Sequence, residues 1–158
     1  MNAAVPIQAK GWPMTNQYKE ISQAQVDEFL QAPRTAVMGT VRGKGGPQLT
    51  PVWYLHENGK MYVSMSVNSA KYRNMTRDPR VCICVAAQHP DARAVMIHGE
   101  AELIPEESAW SDDMHWRITR RYYNSDDEAQ AFLDSFPTEE KSALVSIAPD
   151  KVIAEDWN

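Results

Sequence analysis

The chain has 158 residues, of which 43% are hydrophobic and 23% charged; this is the composition of one ordinary globular domain and excludes a disordered chain. At this length folding buries most of the surface that the unfolded chain exposes, so neither a disulfide nor a metal staple is needed. The formal charge of −5 argues against general nucleic-acid binding, yet the segment from Arg34 to Arg80 carries +6 and leaves −11 for the remainder. A local basic patch on an acidic chain suits a small anionic ligand, with a solvated basic face as the plainer alternative.

In chain order, residues 1–20 read as an N-terminal arm. It is broken by Pro6 and Pro13 and has no continuous apolar run, so no signal peptide is expected and a cytoplasmic protein is. No run approaches the roughly 20 apolar residues of a membrane span. ISQAQVDEFLQAP predicts a helix capped by Ser22, with Ile21, Val26, Phe29 and Leu30 as its apolar stripe and Pro33 as its stop. Strands follow at Thr35 to Val41 and over PQLTPVWYLH (Pro47 to His56), where the prolines suit an edge or a bulge. Asn58-Gly59 marks a tight hairpin into MYVSM.

NSAKYRNMTRDPR predicts a short helix ending near Asp78, because Pro79 disfavours helix at the residue before it. Val81 to Ala87 and Ala94 to Ile104 read as strands, Gly99 marking a bend or bulge in the second. Residues 105–136 form a helical excursion in two parts, and the chain closes as two short strands around Pro149-Asp150. Five or six short strands joined by tight turns predict a mainly β, single-domain protein over 1–158. Its antiparallel sheet closes, or nearly closes, into a small barrel.

Few residues carry chemistry by spacing alone. Cys82 and Cys84 fall on one face of a strand, too parallel for an easy disulfide, and read as reduced, buried, small apolar residues. His56, His89, His98 and His115 are scattered without metal spacing: His56 and His89 read as surface, and His98 as the one that could reach a pocket. Nucleophile elbows, phosphate-binding loops and dinucleotide fingerprints are absent. Trp110, Trp116, Tyr122 and Tyr123 lie in the excursion, where an aromatic stripe reads first as core packing, otherwise as a lid or a dimer contact.

The stretch SMSVNSAKYRNMTRDPR is the informative one. A strand ends in Ser64 and Ser66, Asn68 and Ser69 supply cap oxygens, and Lys71 sits in the first turn of the helix with Asn74 a turn later on the same face. Free backbone N–H groups, hydroxyls and an ammonium together suit a phosphate; an ordinary capped basic helix is the alternative. In addition, the ordered run of a G-T-V strand, G-x-PQ-x-x-PVWY, the N-G-K hairpin, S-x-K-x-x-N, DPRV, HGEAELI and the closing IAPDKV-x-x-x-DW resembles the pyridoxamine 5'-phosphate oxidase-like split-barrel family. It resembles more closely that family's branch of flavin- and deazaflavin-dependent oxidoreductases, including coenzyme F-420 enzymes.

This resemblance implies a six-stranded antiparallel split β-barrel with helices at the N-terminus, after strand 3 and after strand 5. It also implies a homodimer with two cofactor sites at the subunit interface, while the net charge and the lack of a long apolar run give the expectation of no nucleic-acid and no membrane partner. By that likeness Gln48, Leu49, Thr50, Pro51, Val52 and Trp53 line the ring of FMN or coenzyme F-420. Ser64, Met65 and Ser66 contact its ribityl chain; Ser69 and Lys71 hold its phosphate, supported by Asn74. The implied chemistry is hydride transfer to a small-molecule substrate, with Tyr54, His98 or solvent as the candidate proton source. A flavin or F-420 carrier, a redox sensor and a haem- or tetrapyrrole-binding relative are the alternatives. Two departures argue against vitamin B6 oxidation: Ala70 stands where those oxidases carry an arginine before the lysine, and their C-terminal arginine motif is missing.

Overall fold

The computed structural model describes residues 21–105, 107–137 and 139–158; the N-terminal arm expected over 1–20 lies outside them. The described chain runs α1 (Gln23–Gln31), β1 (Ala36–Thr40), β2 (Gln48–Val52), β3 (Leu55–Glu57), β4 (Lys60–Ser66), α2 (Ala70–Arg77), β5 (Arg80–Ala86), β6 (Arg93–Ile104), α3 (Ala109–Arg120), α4 (Asp126–Asp134) and β7 (Ser142–Asp156). The strands form one antiparallel sheet in the order β2-β1-β5-β6-β7-β4-β3.

Seven strands replace the expected six because PQLTPVWYLH is not one strand. It breaks at Trp53-Tyr54 into β2 and β3, which are the two opposite edges of the sheet. Only two residues connect those edges, a reach of roughly 10 Å between Val52 and Leu55. The sheet must therefore curl until its edges meet, giving a half-barrel around the core. Pro51 is tolerated because β2 is an edge strand with no ladder partner beyond it.

The closing segment also differs from expectation. It is one strand, β7, paired with β6 from Leu144 to Asp156; the register shifts between His98 and Gly99, leaving Asp150 opposite no partner. Only Ser142–Ser146 and Ile147 pair with β4 on the other side, so Pro149 withholds no hydrogen bond there. Gly99 at the shift has no room for a side chain, since a Cβ would run into the carbonyl oxygen of Ala148. The β3–β4 turn is the expected tight hairpin, with Asn58 and Gly59 both at positive φ (50° and 72°) between the paired Glu57 and Lys60.

Alternation sends Ala36, Met38, Met61, Val63, Ile83, Val85, Val95, Ile97, Val145 and Ile147 into the main core. Helix α1 adds Val26, Phe29 and Leu30, and α2 adds Met75. Ser22 caps α1 in a reciprocal box with Gln25, and Ser69 caps α2 by accepting from the Tyr72 N–H at 3.3 Å. A second small core of Leu55, Met114, Ile118 and Leu144 seats α3 on β3 and β7. The opposite face of the sheet is less covered: Leu49 and Val37 are exposed there, and Cys82 and Cys84, expected to be buried, are half-buried free thiols.

Candidate functional site

A cavity of about 490 Å³ opens where the β2–β3 crossing, the end of β4, the start of α2 and the helical excursion meet. The crossing contributes Pro51, Val52 and Trp53, β4 contributes Ser64, Met65 and Ser66, and α2 contributes Lys71. These are seven of the residues that the sequence nominated. The other five do not line it. Leu49 is exposed on the outer face, and Thr50 pairs with Met38 in the ladder. Ser69 spends its hydroxyl on the α2 cap. Asn74 is buried, donating to Thr40 Oγ1 (3.1 Å) and Gln48 Oε1 (2.9 Å) and accepting from Arg77 (3.2 Å). It thereby ties α2 to β1 and β2, and its amide is committed within the protein.

The excursion supplies most of the rest of the lining, which Thr35 before β1 and Glu140 and Ser142 at the entry to β7 complete. His115, Ile118 and Thr119 come from α3, Phe132 and Leu133 from α4, and Phe136 from just beyond it. Trp53 stacks on Tyr122 with centroids 4.7 Å apart and lies 5.1 Å from the Phe132 ring; Phe136 meets Phe132 edge-on at 5.0 Å. The crossing is fixed from the same side. Arg121 donates to the carbonyls of Tyr54 (2.7 Å), Leu30 (3.2 Å) and Gln31 (2.8 Å), and the Tyr122 hydroxyl accepts from the Tyr54 N–H and donates to the Arg34 carbonyl. The excursion is thus core packing through Met114 and Ile118 and cavity wall through α4, while Trp110 and Phe136 remain exposed.

Four of the polar side chains in the lining are Lys71, Ser66, Ser64 and His115. Lys71 is half-buried, burial pushes its pKa down, and it has no hydrogen-bond or ion-pair partner among the described residues. Ser66 Oγ accepts from the Asn68 N–H at 3.1 Å. Ser64 Oγ lies 2.6 Å from His115 Nδ1, and burial lowers the His115 pKa against the opposing field of Asp112.

The histidines are redistributed relative to expectation. His56, read as surface, is buried, with Nδ1 lacking a partner and Nε2 3.8 Å from Asp27. His98 is exposed on the outer face beside Cys82, away from the cavity, and His89 is exposed as expected. Tyr54 is fully buried with its hydroxyl donating to the Ala32 carbonyl, and burial pushes its pKa up to about 12, which removes it as a proton source. The cavity histidine is His115, which sequence reasoning missed. The faint signal was Ser111, His115 and Thr119 at four-residue spacing beside the Met114–Ile118 stripe, a polar seam on an otherwise core-facing surface.

A family model described as pyridoxamine 5'-phosphate oxidase matches residues 22–155, nearly the whole described chain. The chain belongs to this family. Among solved structures, a conserved hypothetical protein of Mycobacterium tuberculosis is 27% identical with a TM-score of 0.71, the match covering 87% of this chain and 86% of that one. An F-420 reductase is 20% identical with a TM-score of 0.62, over 80% of this chain and 94% of the reductase. A FAD-binding protein from Mesorhizobium loti is 16% identical with a TM-score of 0.70, over 90% and 99%. The last two likenesses speak to the fold alone. Within the described residues no helix is long and apolar enough to cross a membrane, and no group of three or more potential ligands could hold a metal ion.

Proposed function

We propose that this member of the pyridoxamine 5'-phosphate oxidase family is an oxidoreductase that binds reduced coenzyme F-420 or FMN in the cavity and reduces a small organic substrate there. Lys71 carries the reading. A half-buried ammonium without a counter-ion, on the wall of a largely apolar cavity, is costly alone and is compensated by a ligand anion such as a phosphate. Trp53, Phe132 and Leu133 give an apolar wall suited to a fused ring. Bound there, the cofactor would supply hydride. The protein would hold its phosphate at Lys71, meet its polyol with Ser64 and Ser66, and keep water from its ring with the α4 side chains.

The working form on this reading is a homodimer. The outer face of β2, β1 and β5 supports it: Leu49 is 67% exposed and Val37 38% exposed, and the register puts Gly39 beside Leu49 and Cys82, and Val37 beside Pro51 and Cys84, as one contiguous apolar patch. Sedimentation equilibrium checks this, and a monomer at micromolar concentration removes the dimer.

The deciding experiment titrates the purified protein with FMN and with coenzyme F-420 by fluorescence, wild type beside Lys71→Ala. The expected result is saturable binding of one cofactor, weakened by about 1.5–3 kcal/mol in the variant. Binding that ignores Lys71 removes the anion assignment, and absence of binding by both cofactors removes the reading. A bound reduced cofactor that no acceptor re-oxidises marks a carrier rather than an enzyme.

A further inference from the structure

We propose that His115 is the acid–base residue of the cavity, delivering from Nε2 the proton that completes reduction of the substrate, while Ser64 holds the ring through Nδ1. This rests on the oxidoreductase reading and deepens it. Hydride transfer brings the substrate two electrons and one hydrogen. When an unsaturated acceptor is reduced, one bond of its multiple linkage is lost, and the second hydrogen must arrive as a proton at the neighbouring atom. The reductant is the reduced flavin or deazaflavin. The imidazolium gives up its proton, becomes neutral, and regains a proton from water at the cavity mouth.

Of the polar groups lining the cavity, His115 meets the requirements: Ser64 holds it within the wall, whereas Glu140 is exposed on the approach to β7. Lys71 is claimed by the anion, whose negative charge beside the ammonium favours its protonated form. Serine hydroxyls are too weakly acidic to act alone. Tyr54 and His98, the candidates from sequence, are respectively buried behind the crossing and turned to the outer face.

His115 lines the cavity, and Nε2 has no hydrogen-bond partner among the described residues. The 2.6 Å contact with Ser64 survives a change of charge, because the hydroxyl donates to a bare Nδ1 and accepts from Nδ1–H. The ring therefore keeps one orientation through the proton cycle.

The groups around it set its poise. Asp112 lies one turn back on α3, Ser64 faces it from β4, and Lys71 from α2 shares the cavity; Glu140 and Ser142, on the approach to β7, line both the cavity and an adjoining hollow, which Glu107, Glu139 and Lys141 complete. Burial lowers the His115 pKa, which makes its imidazolium a stronger acid than an exposed one.

The test uses the protein loaded with whichever cofactor it binds. Imidazole resonances are titrated by NMR in wild type, Ser64→Ala and His115→Gln. In parallel, single-turnover oxidation of the reduced loaded protein by menadione is followed between about pH 5 and pH 9, a range spanning the imidazole titration. Three results are expected. The His115 titration shifts on loading and again on removal of Ser64. The wild-type rate rises as pH falls through that titration. His115→Gln loses the pH dependence and slows on the order of 100-fold while keeping its cofactor affinity. A His115 resonance indifferent to loading, or a His115→Gln pH profile superimposable on wild type, overturns the assignment while leaving the oxidoreductase reading in place. Failure of the wild type to bind either cofactor overturns both.

Discussion

The two ends of the cavity are built on opposite principles. The basic end, from Ser64 to Lys71, comes from one strand–turn–helix of eight consecutive residues. Its geometry is local: Ser69 caps α2, Pro79 ends it, and Lys71 falls in the first turn because the cap is fixed. The aromatic end joins Trp53 to Tyr122, Tyr123 and Phe132, which meets Phe136 in turn, across 69 to 79 residues of chain, and nothing near Trp53 in the sequence calls for them. Its polar clamp is equally long-range, since Arg121 and Tyr122 fasten the β2–β3 crossing to the end of α1. The basic end leaves a half-buried cation unpaired among the described residues, which on the proposed reading a ligand anion compensates; the aromatic end satisfies its groups internally and so holds the fold.

That contrast breaks most readily at Met114. It is fully buried in the small core under the excursion, and Met114→Ala should lower stability by about 2–5 kcal/mol, read as the urea midpoint of the apo protein. A loss under about 1 kcal/mol would show the excursion to be loosely attached and not structural. Lys71→Ala is the converse, costing binding but leaving apo stability unchanged or slightly raised, because a desolvated charge is removed. Arg121→Ala follows at about 2 kcal/mol of stability, from its lost bonds to the Tyr54, Leu30 and Gln31 carbonyls. It should also loosen cofactor binding, because the crossing that carries Trp53 is released; unchanged affinity would separate the clamp from the site.

The smallest effect is the sharpest in sign. His56 is buried with its pKa lowered by burial and, less, by Arg121, against the opposing pull of Asp27. The folded state therefore disfavours its protonation. Its contribution to stability is complete above the unfolded value of about 6.5 and is lost as pH falls below it. Wild type should lose urea resistance between about pH 7.5 and pH 5.5, and His56→Gln should lose less over the same interval. Equal losses would move the acid sensitivity to His115 or the carboxylates.

Much of the fold was legible because its signals are local. The α1 cap and stop, the Asn58-Gly59 hairpin, the end of α2 before Pro79 and the strands β5 and β6 follow from residues within a few positions of each other. The strand count was not legible. PQLTPVWYLH has strand composition throughout, and only the meeting of the two sheet edges forces it to break at Trp53-Tyr54. Burial of the two cysteines was misread for a related reason: alternation fixes that Cys82 and Cys84 share a face, but not which face the core occupies.

The candidate site divides along the same line. The sequence by itself determined the capped helix with Lys71 in its first turn, the serines that end β4 and the strand that carries Pro51 and Val52, because caps, turns and side-chain alternation are decided over a few residues of chain. Only the tertiary structure decided that His115 rather than His98 or Tyr54 meets the cavity, that Asn74 is spent on Thr40 and Gln48, and that α4 becomes a wall. Those outcomes depend on the curl of the sheet and the seating of α3. Both are settled by packing between segments far apart in sequence, where no local pattern carries the information.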